Sequence, residues 1–135
     1  MLHPGGQLGA KLKFVSDLMH HGESLPLTPA ETVMSEAIVV MTEKALGCLG
    51  VVDGNGALLG IITDGDLRRH MGNGLLDRRA GEIMTPGPKT VTPDLMASAA
   101  LEIINASAIT ALFVVENGRP VGIIHIHDLL RAGVA

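Results

Sequence analysis

One pattern of residues occurs twice within these 135 positions, and a repeat of this length constrains the fold more than any single segment does. Each copy must be one supersecondary unit that cannot bury its own apolar face alone, so the copies have to share a core. The first reads VSDLMHHGESLPLTP and then SEAIVVMTEKALGCLGVVDGNGALLGIITDGDLRR; the second reads AGEIMTPGPKTVTP and then ASAALEIINASAITALFVVENGRPVGIIHIHDLLR. Met19 and Met84 stand 65 positions apart and Asp66 and Asp128 stand 62 apart, so the spacing drifts by three residues.

Local signals recur in step with the repeat. Thr28-Pro29-Ala30-Glu31 has the form of a capping box with Pro at the first helical position, and it predicts a helix from there to about Lys44. Thr92-Pro93-Asp94 predicts the start of the matching helix, with Leu101, Ile104 and Ala108 on one face. After each helix comes a β-rich run, GVVD or LFVVE, then a glycine-bearing turn, Gly54-Asn55-Gly56 or Asn117-Gly118, then a second strand, LLGIIT or PVGIIH. Short helices are expected from near Asp66 and Asp128, the first stopped by Gly72, Asn73 and Gly74.

Each copy therefore predicts strand, helix, strand, strand, helix. Its nearly continuous apolar strands want cover on both faces. The expected class is α/β (α+β): two βαββα motifs, 15–71 and 80–131, packed with pseudo-twofold symmetry and joined by 72–79. Residues 1–14 precede the first motif and 132–135 form a tail.

Composition decides how such a core is filled and which partners are out of place. Hydrophobic residues make up 47% of the chain with two Phe and no Trp or Tyr, so the interior is aliphatic. The same lack of aromatic platforms, with a net charge of −4, argues against nucleic-acid binding. No apolar run approaches the roughly 18 residues of a membrane span, and the N-terminus lacks the basic-then-apolar order of a signal peptide. A cytoplasmic protein without a membrane partner is the expectation. The lone Cys48, inside LGCLGVV, is expected to be a buried structural thiol.

GIITDGDL and GIIHIHDL are endings of Gly-Ile-Ile-Thr/His-x-x-x-Asp-Leu type, and with the repeat they make residues 15–131 resemble a tandem CBS (cystathionine beta-synthase) domain pair. HPGGQLGAKL, TDGDLRR and HIHDLLRAGVA narrow the resemblance to the regulatory half of the D-arabinose 5-phosphate isomerase family, which supplies Kdo for lipopolysaccharide. In that family a sugar-isomerase domain precedes the pair, and the resemblance implies that residues 1–14 are a remnant of its end and linker. The resemblance matches His3 to a histidine of the isomerase active site, which has nothing to act on here, so no catalytic residue is expected.

The resemblance also implies a ligand site. In CBS modules a Thr or Ser and an Asp spaced as in Thr63-Asp64-Gly65-Asp66 hold a nucleotide, with the hydroxyl and helix-start N–H groups facing phosphate and the carboxylate facing the ribose diol. A helix start offers donors to an anion and a carboxylate only accepts, so the chemistry is sound. The competing explanation is a simple capping box. His125-Ile126-His127-Asp128 occupies the same place in copy two. Imidazole is a poor N-cap, so capping explains His125 less well than Thr63 and a ligand or interface role gains weight. The His-x-His spacing puts both rings on one side of an extended strand, but a hydrogen-bonding role is preferred over a metal. His20-His21 is expected to be an exposed turn. Arg68, and Lys89 with Thr90, are candidate phosphate contacts; Arg69, Arg78 and Arg79 are expected to be solvated charges. The glycines of HPGGQLG and DGNGALLG match neither a P-loop nor a dinucleotide fingerprint.

Three function classes follow. The leading one is a regulatory module sensing a nucleotide or nucleotide sugar; the resemblance favours CMP-Kdo as a feedback effector, with adenine nucleotides next. The second is a structural module that binds nothing and only helps the isomerase oligomerise; under either reading a homodimer of pairs is expected, and a tetramer in the full-length enzyme. Independent catalysis is the weakest, because no nucleophile, acid and base pair or metal cluster is visible.

Overall fold

The computed structural model describes residues 12–72 and 74–134, so the readings on His3 and on Asn73 lie outside the described residues. The elements in order are α1 (Val15–Leu18), β1 (Leu27–Pro29), α2 (Met34–Lys44), β2 (Cys48–Val52), β3 (Leu58–Thr63), α3 (Asp64–Arg69), α4 (Ala80–Ile83), β4 (Thr85–Pro86), β5 (Thr90–Val91), α5 (Ala97–Ser107), β6 (Ala111–Glu116), β7 (Arg119–His125) and α6 (Ile126–Arg131). The strand, helix, strand, strand, helix order is thus present twice, in a mixed α/β fold with two small sheets.

Compact units in space and copies in sequence are different partitions of the chain. One unit is continuous, Ser24–Pro88; the other joins 12–23 to 89–134. The leading helix of each copy thus packs with the body of the other copy. Backbone hydrogen bonding explains the exchange. In the first unit the Met34 N–H at the start of α2 donates to the Arg78 carbonyl at 2.7 Å, and the Ala80 N–H at the start of α4 donates to Thr32 at 2.8 Å. In the second unit the Ala97 N–H donates to Lys13 at 2.8 Å and the Val15 N–H to Leu95 at 2.8 Å. Each long helix therefore has a first-turn amide satisfied by backbone from the segment that leads into the other copy, where a capping side chain would otherwise serve.

This is also why both long helices begin later than their capping signatures predict. Thr28 and Pro29 close β1, which runs parallel to β2 in the register Leu27 with Gly50 and Thr28 with Val51, and Thr28 is buried. Val33 and Met96 stand at the N-cap positions without a side-chain cap. Strand pairing outweighed a local signature worth only about 1 kcal/mol. The end at Lys44 agrees with expectation. Leu101 and Ile104 share the buried face of α5, whereas Ala108 is its exposed C-cap.

The first unit has a sheet in the order β1-β2-β3-β4, the second one in the order β5-β6-β7 with an isolated bridge from His20 to Ile123. Both expected hairpins are present. Asn117 and Gly118 have φ of 53° and 78°, the two left-handed positions of the tight turn that matches strand twist. Met34, Ala37, Leu49, Val51, Ile62 and Ile83 centre one core; Val15, Leu101, Ile104, Leu112, Ile124 and Leu129 centre the other. Both cores are aliphatic.

Ala45 and Ala108 end the two long helices in the left-handed conformation, with φ of 57° and 54°. A Cβ in that region costs about 1 kcal/mol, and glycine relieves it at some cost in unfolded-chain entropy. Ala45→Gly and Ala108→Gly are each expected to raise stability by about 0.5 kcal/mol, read as a higher urea midpoint at unchanged slope.

Candidate functional site

At the end of β3 the chain turns straight into α3, and Thr63 is its N-cap. The Thr63 N–H donates to Asp66 Oδ2 at 2.9 Å and its hydroxyl lies 3.1 Å from the same oxygen, while the Asp66 N–H reaches back to Thr63 Oγ1 at 3.4 Å. Thr85, from β4, donates its hydroxyl to Asp66 Oδ1 at 2.6 Å, and the Arg69 guanidinium pairs with that oxygen too. Asp66 is only 2% exposed. Burial pushes its carboxyl up, but the hydrogen bonds from Thr85 and Thr63 and the Arg69 charge outweigh burial and hold it below the usual carboxylate range.

The corresponding junction of the other unit has the same plan with different chemistry. His125 ends β7 and is the N-cap of α6: its Nδ1 accepts from the His127 N–H at 3.1 Å, and its own N–H donates to Asp128 Oδ2 at 2.9 Å. Arg131 donates to Asp128 Oδ1 at 2.8 Å, as Arg69 does to Asp66. Where Thr85 stands in the first unit, His20 stands here, with Nε2 at 3.0 Å from Asp128 Oδ1. Burial, then the neighbouring His127, holds the His125 imidazole below its ordinary value, against the opposing pull of Asp128.

Several expectations change. His125 does cap its helix, so capping accounts for it as it does for Thr63. The rings of His125 and His127 lie close, 4.7 Å between centroids, but the chain turns helical at Ile126, so they do not project from one extended strand. Among the described residues no group of three His, Cys, Asp or Glu side chains is disposed to hold a metal. His20 is half-buried against Asp128, whereas His21 is exposed. Arg69 and Arg131 are outward-facing but paired, and Arg78 lies 3.7 Å from Glu82. Burial pushes the Cys48 thiol up to about 12, so it stays protonated and inert at neutral pH.

Of the other sequence candidates, Asp64 and Arg68 are exposed on α3. Asp64 edges an open depression of about 270 Å³ whose remaining lining is Ile38, Met41, Thr42, Ala45, Gly47 and Leu67. Lys89 and Thr90 are exposed and belong to the unit of the second copy, not to that of Thr63 and Asp66. Sequence reasoning missed Thr85 and His20 as partners of the two carboxylates. The signal was present: aligning Met19 with Met84 sets His20 opposite Thr85.

The family model of the CBS domain matches residues 15–73 and 80–135. This chain belongs to the CBS domain family. Over 98% of its length the CBS pair is 46% identical to arabinose 5-phosphate isomerase KdsD of Pseudomonas aeruginosa and 41% identical to an uncharacterised protein of Rickettsia prowazekii. It spans 42% of the length of each of these relatives. Among solved structures, a CBS-domain protein of Agrobacterium tumefaciens superposes with a TM-score of 0.78 at 25% identity, covering 98% of both chains. CBSX2 in complex with AMP superposes at 0.77 and 25% identity, covering 88% of this chain and 94% of that one. No helix among the described residues is long and apolar enough to cross a membrane.

Proposed function

We propose that this CBS pair is a regulatory module that senses a nucleotide or nucleotide sugar at the β3 to α3 junction and performs no catalysis of its own. The observation that carries the reading is its likeness to CBSX2, a chain of nearly the same extent whose solved structure holds AMP. The chemistry is compatible. Thr63 and Arg68 offer a hydroxyl and a cation to a phosphate, and Lys89 with Thr90 offers the same pair in the other unit. Asp66 is the acceptor for a ribose diol. Because its oxygens already take donors from Thr63, Thr85 and Arg69, ribose must displace one of them. Arg69 is the easiest to displace, its side chain being 64% exposed. Asp64, His125, His127 and Asp128 complete the candidate set.

Two ligands compete within this reading. The 46% identity to an arabinose 5-phosphate isomerase favours CMP-Kdo as a feedback effector, the pair then acting in the cytoplasm on an isomerase domain, as a homodimer of pairs within a tetramer. The likeness to CBSX2 favours an adenine nucleotide. A thermal-shift series over CMP, CMP-Kdo, AMP, ADP and ATP separates them. A true ligand at 100 times its Kd stabilises the native state by about 2.7 kcal/mol, so Tm rises by several degrees for one base class only. No shift with any of the five defeats the ligand reading.

A second reading, a structural module that only assembles, is favoured by the apolar depression between α2 and α3 and by Val39, 54% exposed on α2. Sedimentation of the same samples discriminates: a dimer at micromolar concentration with no thermal shift supports assembly alone, and a monomer defeats it.

A further inference from the structure

The two junctions share a plan yet differ in one chemical respect. At the first joint hydroxyls do the work, Thr63 Oγ1 accepting the Asp66 N–H and Thr85 donating to the Asp66 carboxylate; at the second imidazoles do, His125 Nδ1 accepting the His127 N–H and His20 Nε2 meeting the Asp128 carboxylate. A hydroxyl does not titrate in the neutral range and an imidazole does.

His125 has the stricter requirement. Its Nδ1 accepts the His127 N–H at 3.1 Å, which requires that nitrogen to be without a proton. Protonation sets N–H against N–H and abolishes the cap. The charged and titratable groups facing the ring are His127, Asp128 and Arg131 of α6 and His20 of the segment after α1. Three of these four oppose a second positive charge. β6, paired beside it, presents Ala111. His20 is under no such constraint: its Nε2 lies 3.0 Å from Asp128 Oδ1, and because a carboxylate only accepts, that nitrogen is the donor.

We propose that His125 makes the start of α6 a proton-operated joint, closed at neutral pH and loosened by acid, while the equivalent joint at Thr63 ignores pH over the same range. The sign follows from linkage. A histidine held below its ordinary value binds fewer protons folded than unfolded, so its contribution is present above about pH 6.5 and fades as pH falls. One copy of the pair thereby responds to acidification and the other serves as an internal reference. The inference rests on the cap geometry and does not depend on the ligand reading.

Hydrogen exchange of the whole chain, corrected for intrinsic rates and compared between about pH 7.5 and 5.5, tests it. Peptides covering β7 and α6 are expected to lose protection several-fold relative to those covering β3 and α3. His125→Thr, which copies the first joint, is expected to abolish that difference, and His20→Thr to keep it. Equal pH response of the two joints, persistence of the difference in His125→Thr, or its loss in His20→Thr overturns the proposal. The wild-type protein gives an answer without any variant: imidazole nitrogen shifts at neutral pH should show His125 with its proton on Nε2, and a proton on Nδ1 refutes the cap.

Discussion

Replacing Gly60 with alanine is expected to lower stability by about 3 kcal/mol, seen as a fall in Tm of roughly 10 °C. Gly60 has no need of glycine's conformational freedom, since its φ is not positive. It is glycine because Met84 and Thr85, leading in the second copy, cross over β3 at that point. A Cβ there meets Met84 Sδ at 2.5 Å and the Thr85 carbonyl oxygen at 2.7 Å. The methionine can turn aside, but the carbonyl is fixed by the pairing of Ile61 with Thr85, so backbone has to move. Gly122 makes the equivalent approach to Met19 and His20, with the backbone oxygen at 3.0 Å, so Gly122→Ala is expected to be the milder change. Gly54→Ala is the control, because nothing lies within 4 Å of its added methyl and φ is not positive; it should stay within about 0.5 kcal/mol of wild type. A denaturant midpoint for Gly60→Ala equal to that of the control would contradict the crossing.

Asp66→Ala is expected to cost a similar amount, about 3 kcal/mol, and more than Asp128→Ala. Hydrogen bonds to a charged group are worth about 1.5 to 3 kcal/mol each, but the loss is smaller than their sum because Arg69 simply returns to water. The irreducible part is the Thr63 N–H, left without its acceptor at a junction buried on the Asp66 side. Asp66→Asn keeps an acceptor for that N–H and is expected to recover roughly half the loss. Because folding holds the Asp66 carboxyl below its ordinary value, its contribution is complete above about pH 4 and is lost as pH falls further. The wild-type advantage over Asp66→Asn should therefore shrink below about pH 4, and an advantage constant down to pH 2 would count against the ion-paired carboxylate. The same variant separates stability from recognition. If a nucleotide shifts the melting of wild type, Asp66→Asn, checked to be folded, is expected to bind it roughly tenfold or more weakly by isothermal titration.

The sequence by itself determined the strand, helix, strand, strand, helix order within each copy, the aliphatic cores, both hairpins and the family, but not the short helices α1 and α4 or the strand β4 that lead into the copies. Each feature so determined depends on neighbours in the chain or on composition: Asn117-Gly118 can only make its left-handed turn, GVVD and LFVVE can only be apolar strands, and the repeated GII endings carry the resemblance. The same information located Thr63, Asp66, His125 and Asp128 at strand-to-helix junctions. What it could not determine was which segment packs on which copy. Thr28-Pro29-Ala30-Glu31 has every local mark of a helix start, yet pairing of β1 with β2 claimed Thr28 and Pro29, and the Arg78 carbonyl, 44 positions beyond Met34, satisfied the helix instead. Likewise nothing within three residues of Asp128 reveals that His20 is its partner, 108 positions away. Only the tertiary structure decided these points, because a buried carboxylate and an unpaired helix-start amide take their partners from whatever backbone the exchange of leading segments brings within 3 Å, and that proximity is not written in local sequence.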